Sequence, residues 1–183
     1  FQDQKDINSI LIEIPNITSS PGVIPTAVWF EDPSKIPKIG LSALKMRGNS
    51  NSDLFFHSNF KRLIGNSIEK INKKNILSPN RCGENFFKFL WANIPKKYEI
   101  KRLVLTAPID TYKGYREWLI SLCGEISVEE VALVDEPTAA AMGAGLPSGS
   151  KILVIDIGGC TIDLSLVALE GGEGRAEPIA QLI

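Results

Sequence analysis

"KILVIDIGGCTIDLSLV", residues 151–167, decides how the rest of the chain is read. A run of aliphatic and β-branched residues enters an acid, Asp156, and breaks at Gly158-Gly159. It re-emerges as a second apolar stretch carrying another acid, Asp163. Strong strand formers on both sides of a glycine pair predict a strand over 151–156, a tight return, and an alternating strand over 162–169. Buried strands do not usually end in a carboxylate and two glycines unless something charged is met there. In open α/β sheets ligands bind outside the carboxyl ends of strands, and Asp156 stands at such an end.

Gly158 and Gly159 offer backbone N–H groups without side-chain obstruction, which lets a chain approach phosphate oxygens closely. Thr161 adds a hydroxyl, and Asp163, two residues further on, shares its face. Carboxylates beside such a loop repel a phosphate unless a cation lies between them. Mg2+ suits the position, because it prefers oxygen ligands and keeps several of its waters. The expectation is a magnesium nucleotide whose hydrated metal faces Asp156 and Asp163 while the loop touches the phosphates. The plainer alternative is a tight Gly-Gly turn with exposed acids, since short glycine motifs match often by accident. Other phosphate motifs fail. "GAGLPSGSK" at 143–151 lacks the G-x-x-x-x-G-K-[ST] spacing, and Ser148 stands where a G-x-G-x-x-G motif needs its third glycine.

Outward from this stretch, "VALVD" at 131–135 is a short buried strand closing on Asp135-Glu136. Pro137 suits the first turn of a following helix, which "TAAAMGAG" continues. "KRLVLTAP" at 101–108 is a strand stopped by Pro108. Residues 111–124 place Tyr112, Tyr115, Leu119 and Leu122 at helical spacings, with Gly124 as terminator. Strand–helix–strand–helix–strand predicts a parallel α/β core with right-handed crossovers, to which the 151–169 hairpin adds antiparallel strands. "GGEG" at 171–174 signals another hairpin, and Pro178 consigns the last strand to an edge or a bulge.

The first hundred residues are less regular. "SILIEI" (9–14) and "VIPTAVWF" (23–30) have strand composition, with "SSPG" as a turn between them. A short strand is expected near Ile39, and a brief helix over "LSALKMRG" ending at Gly48. A compact island, "NFKRLIG" (59–65), precedes a basic helical tail through Lys74. "GENFFKFLWANI" (83–94) sets Phe86, Leu90 and Ile94, with Phe87 and Trp91, on one broad helical face.

Bulk properties bound the function. The chain has 183 residues, 44% hydrophobic and 22% charged, with a formal net charge of -1. Phosphate-dominated nucleic-acid binding leaves a basic footprint that this balance lacks. No apolar run approaches the roughly 18 residues needed to span a bilayer, so no membrane partner is expected. The opening residues resemble no signal peptide. Three cysteines, at 82, 123 and 160, form no C-x-x-C pair, which fits a reducing cytoplasm. The single histidine, His57, reads as an incidental polar residue beside Phe55 and Phe56. The chain opens at Phe1 without methionine and stops within "PIAQLI", as expected of a piece of a longer protein.

Three stretches together resemble the nucleotide-binding domain of the seventy-kilodalton heat-shock chaperones, of the DnaK type, within the actin-like ATPase superfamily. "VALVDEPTAAAMGAG" (131–145) resembles the family's connecting motif, and "ILVIDIGGCTIDLSLV" (152–167) its second phosphate motif, usually D-x-G-G-G-T-x-D. "NFKRLIG" is similar to its phosphate-side lysine segment. The resemblance implies an incomplete α/β actin-like (ribonuclease H-like) fold, a mixed sheet with flanking helices. It implies an outer part of a first lobe over 1–100, a βαβα core segment over 101–150, and the start of a second lobe over 151–183.

By resemblance, Lys61 contacts the terminal phosphates and Glu136 positions the attacking water. Gly158, Gly159, Cys160 and Thr161 line the phosphates, with Thr161 bonding phosphate or nucleophile. Asp156 and Asp163 hold Mg2+ through water. Pro108 and Arg116 match positions linked to coupling between lobes. The implied cofactors are ATP or ADP with Mg2+; the implied partners of the intact protein are unfolded peptides and co-chaperones, in a stress-response role. Each residue also has a plainer reading. Lys61 sits among Arg62, Lys70, Lys73 and Lys74 as a solvated basic face, Glu136 favours a helix start by its charge, and Arg116 is an exposed helix residue. Cys160 departs from the motif, replacing its third glycine. The family's first phosphate loop and adenosine-binding glycines are not in this sequence, so the chain by itself is expected to turn over ATP weakly or not at all. Two alternatives remain: a filament-forming bacterial actin homologue, and a non-catalytic binding module on the same fold.

Overall fold

A computed structural model describes residues 9–32, 35–48, 55–65, 77–109, 113–158, 162–171 and 173–182. The chain divides into two compact units, Phe1–Glu99 and Ile100–Ile183.

In the first unit, β1 (Ala27–Trp29) is the centre of a three-stranded antiparallel sheet, flanked by β2 (Lys38–Ile39) and β3 (Phe56–Ser58). Val28 lies between Ile39 and His57 and is fully buried, as is Ile39. The strand expected over 9–14 does not form. Pro15 cannot donate to a ladder, and the Thr18 hydroxyl instead closes a turn, accepting from Ile14 N–H at 3.1 Å and donating to Ile14 C=O at 3.0 Å. Ile14 and Ile17 are buried by this turn while Ile10 and Leu11 stay exposed. "SSPG" does turn tightly, with Ser19 N–H on Val23 C=O at 2.9 Å. The strand expected over 23–30 is reduced to three residues, beginning beyond Pro25.

Gly40 enters α1 (Leu41–Leu44) at φ 60° and ψ -131°, a region essentially reserved for glycine. The Ile17 carbonyl oxygen occupies the space that a Cβ at position 40 needs. A 3-10 turn spans Phe60–Leu63, and α2 (Pro79–Asn93) starts four residues before the expected position. Its start is set by Ser78, whose hydroxyl caps Arg81 N–H at 3.3 Å, followed by Pro79 in the first turn. The 3-10 turn docks on α2 through Phe60 against Phe86, 6.0 Å between ring centres, and through Gly65 N–H on Asn80 Oδ1 at 3.1 Å. The helical tail expected after residue 65 lies outside the described residues through 76.

The second unit opens with β4 (Arg102–Ala107), α3 (Lys113–Cys123) and β5 (Glu130–Asp135), in which β4 and β5 pair in parallel from Arg102–Glu130 to Ala107–Asp135. α3 buries Tyr115, Leu119 and Leu122, three of the four residues expected on its inner face; Tyr112 lies outside the described residues. α4 (Glu136–Gly143) follows β5 without a loop. Then β6 (Lys151–Ile157), β7 (Ile162–Glu170) and β8 (Glu173–Leu182) form an antiparallel sheet in that order. Among the described residues the parallel pairing is therefore of two strands rather than three, and β6 belongs to the antiparallel sheet. One face of the β6–β8 sheet packs on α4 through Ala141, Val167 and Leu169, with Ile152, Val154 and Ala176 around them. Pro178 lies on the edge strand β8, beside a register shift opposite Leu164 and Ser165. The sequence predicted an edge or a bulge there, for a proline cannot serve an interior ladder.

Candidate functional site

The hairpin β6–β7 brings the two motif acids together. Asp156 and Asp163 are direct cross-strand partners, one pair short of the hairpin's end, where Ile157 faces Ile162. Because residues directly opposite point to the same side of a sheet, the two carboxylates share one face. That face is the one carrying Ile152, Val154 and Val167, towards α4. Asp156 is exposed and Asp163 half-buried. Like charges directly opposite each other destabilise a sheet, and nothing in the packing of the hairpin requires them. Beyond Asp156 the strand runs out at Ile157 into Gly158, which is exposed. Gly159, Cys160 and Thr161, the rest of the expected phosphate loop, lie outside the described residues.

The second cluster forms at the carboxyl end of β5. Asp135 is the N-cap of α4, yet its side chain caps no N–H of that helix. Its Oδ1 instead accepts from Arg116 Nη2, across the βαβ crossover, in a short, partly buried ion pair. Glu136, the next residue, is half-buried at the first helical position. Pro108, half-buried, follows the last residue of β4, whose final pair is Ala107–Asp135. Pro108, Arg116, Asp135 and Glu136 thus gather around one end of the β4–β5 pair. Arg116 was expected as an exposed helix residue if structural. With its side chain 39% exposed and its Nε buried without a partner among the described residues, it is committed to this corner. Sequence reading missed that pairing, because 19 residues separate the partners and only the parallel crossover closes the gap.

Thr138 also escaped notice. It is 3% exposed, and its hydroxyl has no hydrogen-bond partner among the described residues. Its Cγ2 methyl abuts Gly174, where no Cβ would fit. Lys61, exposed on the 3-10 turn, belongs to the first unit and the acids to the second. His57 packs edge-on to Phe30 at 6.2 Å, and burial lowers its pKa below the ordinary 6.5. It lies on β3 opposite Val28, in the sheet of the first unit. Among the described residues no three acid, histidine or cysteine side chains gather as metal ligands. No helix among them is long and apolar enough to cross a membrane.

Comparison with known proteins agrees with this architecture. The MreB/Mbl protein family matches residues 32–173. The chain belongs to the actin-like ATPases. Its curated relatives are chaperones of that family: it is 32% identical to the chaperone protein DnaK of Metamycoplasma hominis over 168 residues, 86% of this chain and 27% of that one. It is 27% identical to the HscA homologue of Pasteurella multocida over 82% of this chain and 28% of the relative. Over a shorter 85-residue stretch it is 39% identical to DnaK of Thermotoga petrophila, covering 45% of this chain and 14% of that one. The chain therefore carries part of an actin-like ATPase domain of the seventy-kilodalton heat-shock type, and spans about a quarter of the length of the curated relatives it matches.

Proposed function

We propose that the end of the β6–β7 hairpin is a magnesium-nucleotide phosphate site, and that in an intact chaperone of this family it serves ATP hydrolysis that controls peptide binding. The observation that carries the reading is the Asp156–Asp163 pair, two hard oxygen donors held face to face beside a glycine turn. A hydrated Mg2+ fits this donor set. Asp156 and Asp163 would hold it through water, and with no third acid beside them among the described residues it would keep most of its own waters. When bound, the ion neutralises charge on the phosphate oxygens.

The chain's own residues do the rest. Gly158 and Gly159 present N–H groups to the phosphates, and Thr161 a hydroxyl, with Cys160 between them in the same sequence motif. Glu136 orients the attacking water, as phosphoryl transfer to water asks for positioning rather than covalent help. Lys61 supplies a positive charge to the terminal phosphates. Pro108 and Arg116 couple this corner to neighbouring domains; the Arg116–Asp135 pair beside Glu136 supports that role. ATP, unfolded peptides and co-chaperones are the partners of the intact protein, in the cytoplasm.

Calorimetric titration of Mg-ADP and Mg-ATP into the chain tests the site. Micromolar, magnesium-dependent binding that Asp156→Asn removes is expected; no heat at millimolar nucleotide, or binding indifferent to the substitution, overturns it. The MreB/Mbl match over residues 32–173 favours a second reading, a filament-forming ATPase. Nucleotide-dependent sedimentation of long polymers would select it over the chaperone reading.

A further inference from the structure

We propose that one face of the first unit's sheet binds a phosphate group between Lys38 and Arg47, beside Trp29. This site lies within the first unit and stands independently of the nucleotide reading. The two faces of the β2–β1–β3 sheet are unlike. On one, Ile39, Val28 and His57 stand in a row, with Ile39 and Val28 fully buried. One residue further along, Lys38, Trp29 and Phe56 form the next row, and alternation turns it to the other face. There Trp29 and Phe56 are half-buried and Lys38 is exposed.

Two cations lie over this second row. Lys38 Nζ is 5.1 Å from the centre of the Trp29 ring, and the Arg47 guanidinium carbon is 5.9 Å from the centre of the Phe56 ring. Met46 joins them, its Sδ accepting from Lys38 Nζ at 3.4 Å. Aromatic rings hold cations in place but do not neutralise them. Neither Lys38 nor Arg47 has a carboxylate partner among the described residues. Glu31, two residues beyond Trp29, is engaged by Lys35 at 3.0 Å. The Trp29 indole N–H is closed off from solvent and has no acceptor among the described residues, and a buried donor of that kind is satisfied by an ion or a water. Beyond the Met46 thioether, the side chains of the cluster offer donors only, which suits an oxyanion.

The charge of the whole unit points the same way. Residues 1–99 carry fourteen Lys and Arg against nine Asp and Glu, whereas residues 100–183 carry six against twelve. Anions are drawn to the first unit. Spacing selects a phosphate among them. The cations lie over adjacent strands, which run about 4.8 Å apart. Charge-assisted N–H bonds to oxygen are about 2.8 Å long, so two cations that share one tetrahedral group stand about 5–6 Å apart. A phosphate dianion answers both charges, and its oxygens match the fork of Arg47. A single carboxylate leaves one cation unanswered.

Titration of inorganic phosphate into the full chain tests the site. Chelator is present, so that no metal serves the acids of the second unit. The indole N–H resonances of the three tryptophans are the readout. The Trp29 resonance should move saturably, with a dissociation constant on the order of 1 mM, while those of Trp91 and Trp118 stay in place. Lys38→Gln and Arg47→Gln should each weaken binding about fivefold or more, the worth of one charge-assisted hydrogen bond. Lys35→Gln should leave it unchanged. Phosphoserine beside free phosphate distinguishes the sources: equal affinity assigns the free ion, and tighter binding a phosphorylated chain. If the cations only shield two half-buried rings, the Trp29 resonance shows no saturable shift, and the proposal fails. An equal response to sodium chloride at matched ionic strength, a preference for succinate, or binding untouched by both substitutions also overturns it. Should the variants fail to fold, acylation of the unaltered chain decides. Phosphate must slow labelling of Lys38 but not of Lys35, and equal labelling refutes the site.

Discussion

Asp156→Asn separates what the hairpin needs to fold from what its site needs to work. In the protein the two carboxylates are direct cross-strand partners, with Cβ atoms about 4.5–5.5 Å apart in such pairs. Two charges at about 5 Å repel by about 0.8 kcal/mol in a water-like dielectric and more where one is half-buried. Cross-strand measurements give a comparable cost of about 0.2–1 kcal/mol for such a pair. Removing one charge while keeping the side chain's shape therefore stabilises the second unit by about that amount without Mg2+. Urea unfolding in chelator, followed through the sheet signal, should show a higher midpoint for Asp156→Asn at unchanged slope. The gain should shrink as salt screens the pair. Adding Mg2+ and nucleotide should raise the midpoint of the unaltered chain and leave the variant where it was, because only a ligand bound to the native state shifts the midpoint. A variant less stable in chelator, or equally stabilised by Mg2+ and nucleotide, refutes the reasoning.

Other perturbations read the framework. Gly40→Ala combines a disfavoured backbone, about 1–3 kcal/mol, with a Cβ driven into the Ile17 carbonyl. A loss of at least about 2 kcal/mol in denaturant unfolding of the first unit is expected, and a near-neutral result contradicts it. Cys82 is buried, and its thiol pKa is pushed up to about 12 by burial. It should resist a maleimide at neutral pH until urea opens α2, as peptide mass mapping would report. His57 is held below its ordinary 6.5 by burial. The unfolded chain then takes up the proton first, so stability contributed above about pH 6.5 is lost as pH falls towards the folded value. Melting at successive pH values should show that loss reduced by His57→Gln.

Most of the second unit was legible from residue order alone. Strand 102–107, helix 113–123, strand 130–135 and the 151–170 hairpin follow from β-branched runs, helical spacing and Gly or Pro breaks, local signals that act within a few residues. The same local logic consigned Pro178 to an edge or a bulge and aimed Asp156 and Asp163 at one ion, while the register of the hairpin set the two acids directly opposite each other. In the first unit local composition misled. "SILIEI" has strand composition, but the Thr18 hydroxyl and Pro15 diverted its backbone into a turn. Hydrogen bonds made by one side chain are too particular for composition to forecast.

The sequence by itself determined the family motifs, the paired acids and the succession of strands and helices, because each is written within a short span of chain. The tertiary structure decided what distant segments do to one another. Arg116 meets Asp135 only because a parallel crossover returns α3 alongside β5. Thr138 is buried only because α4 lies against β8 at Gly174. β6 pairs with β7, and not with β4 or β5, among the described residues. Strand partnership is a competition among distant segments for the same backbone groups, and no local pattern encodes its outcome.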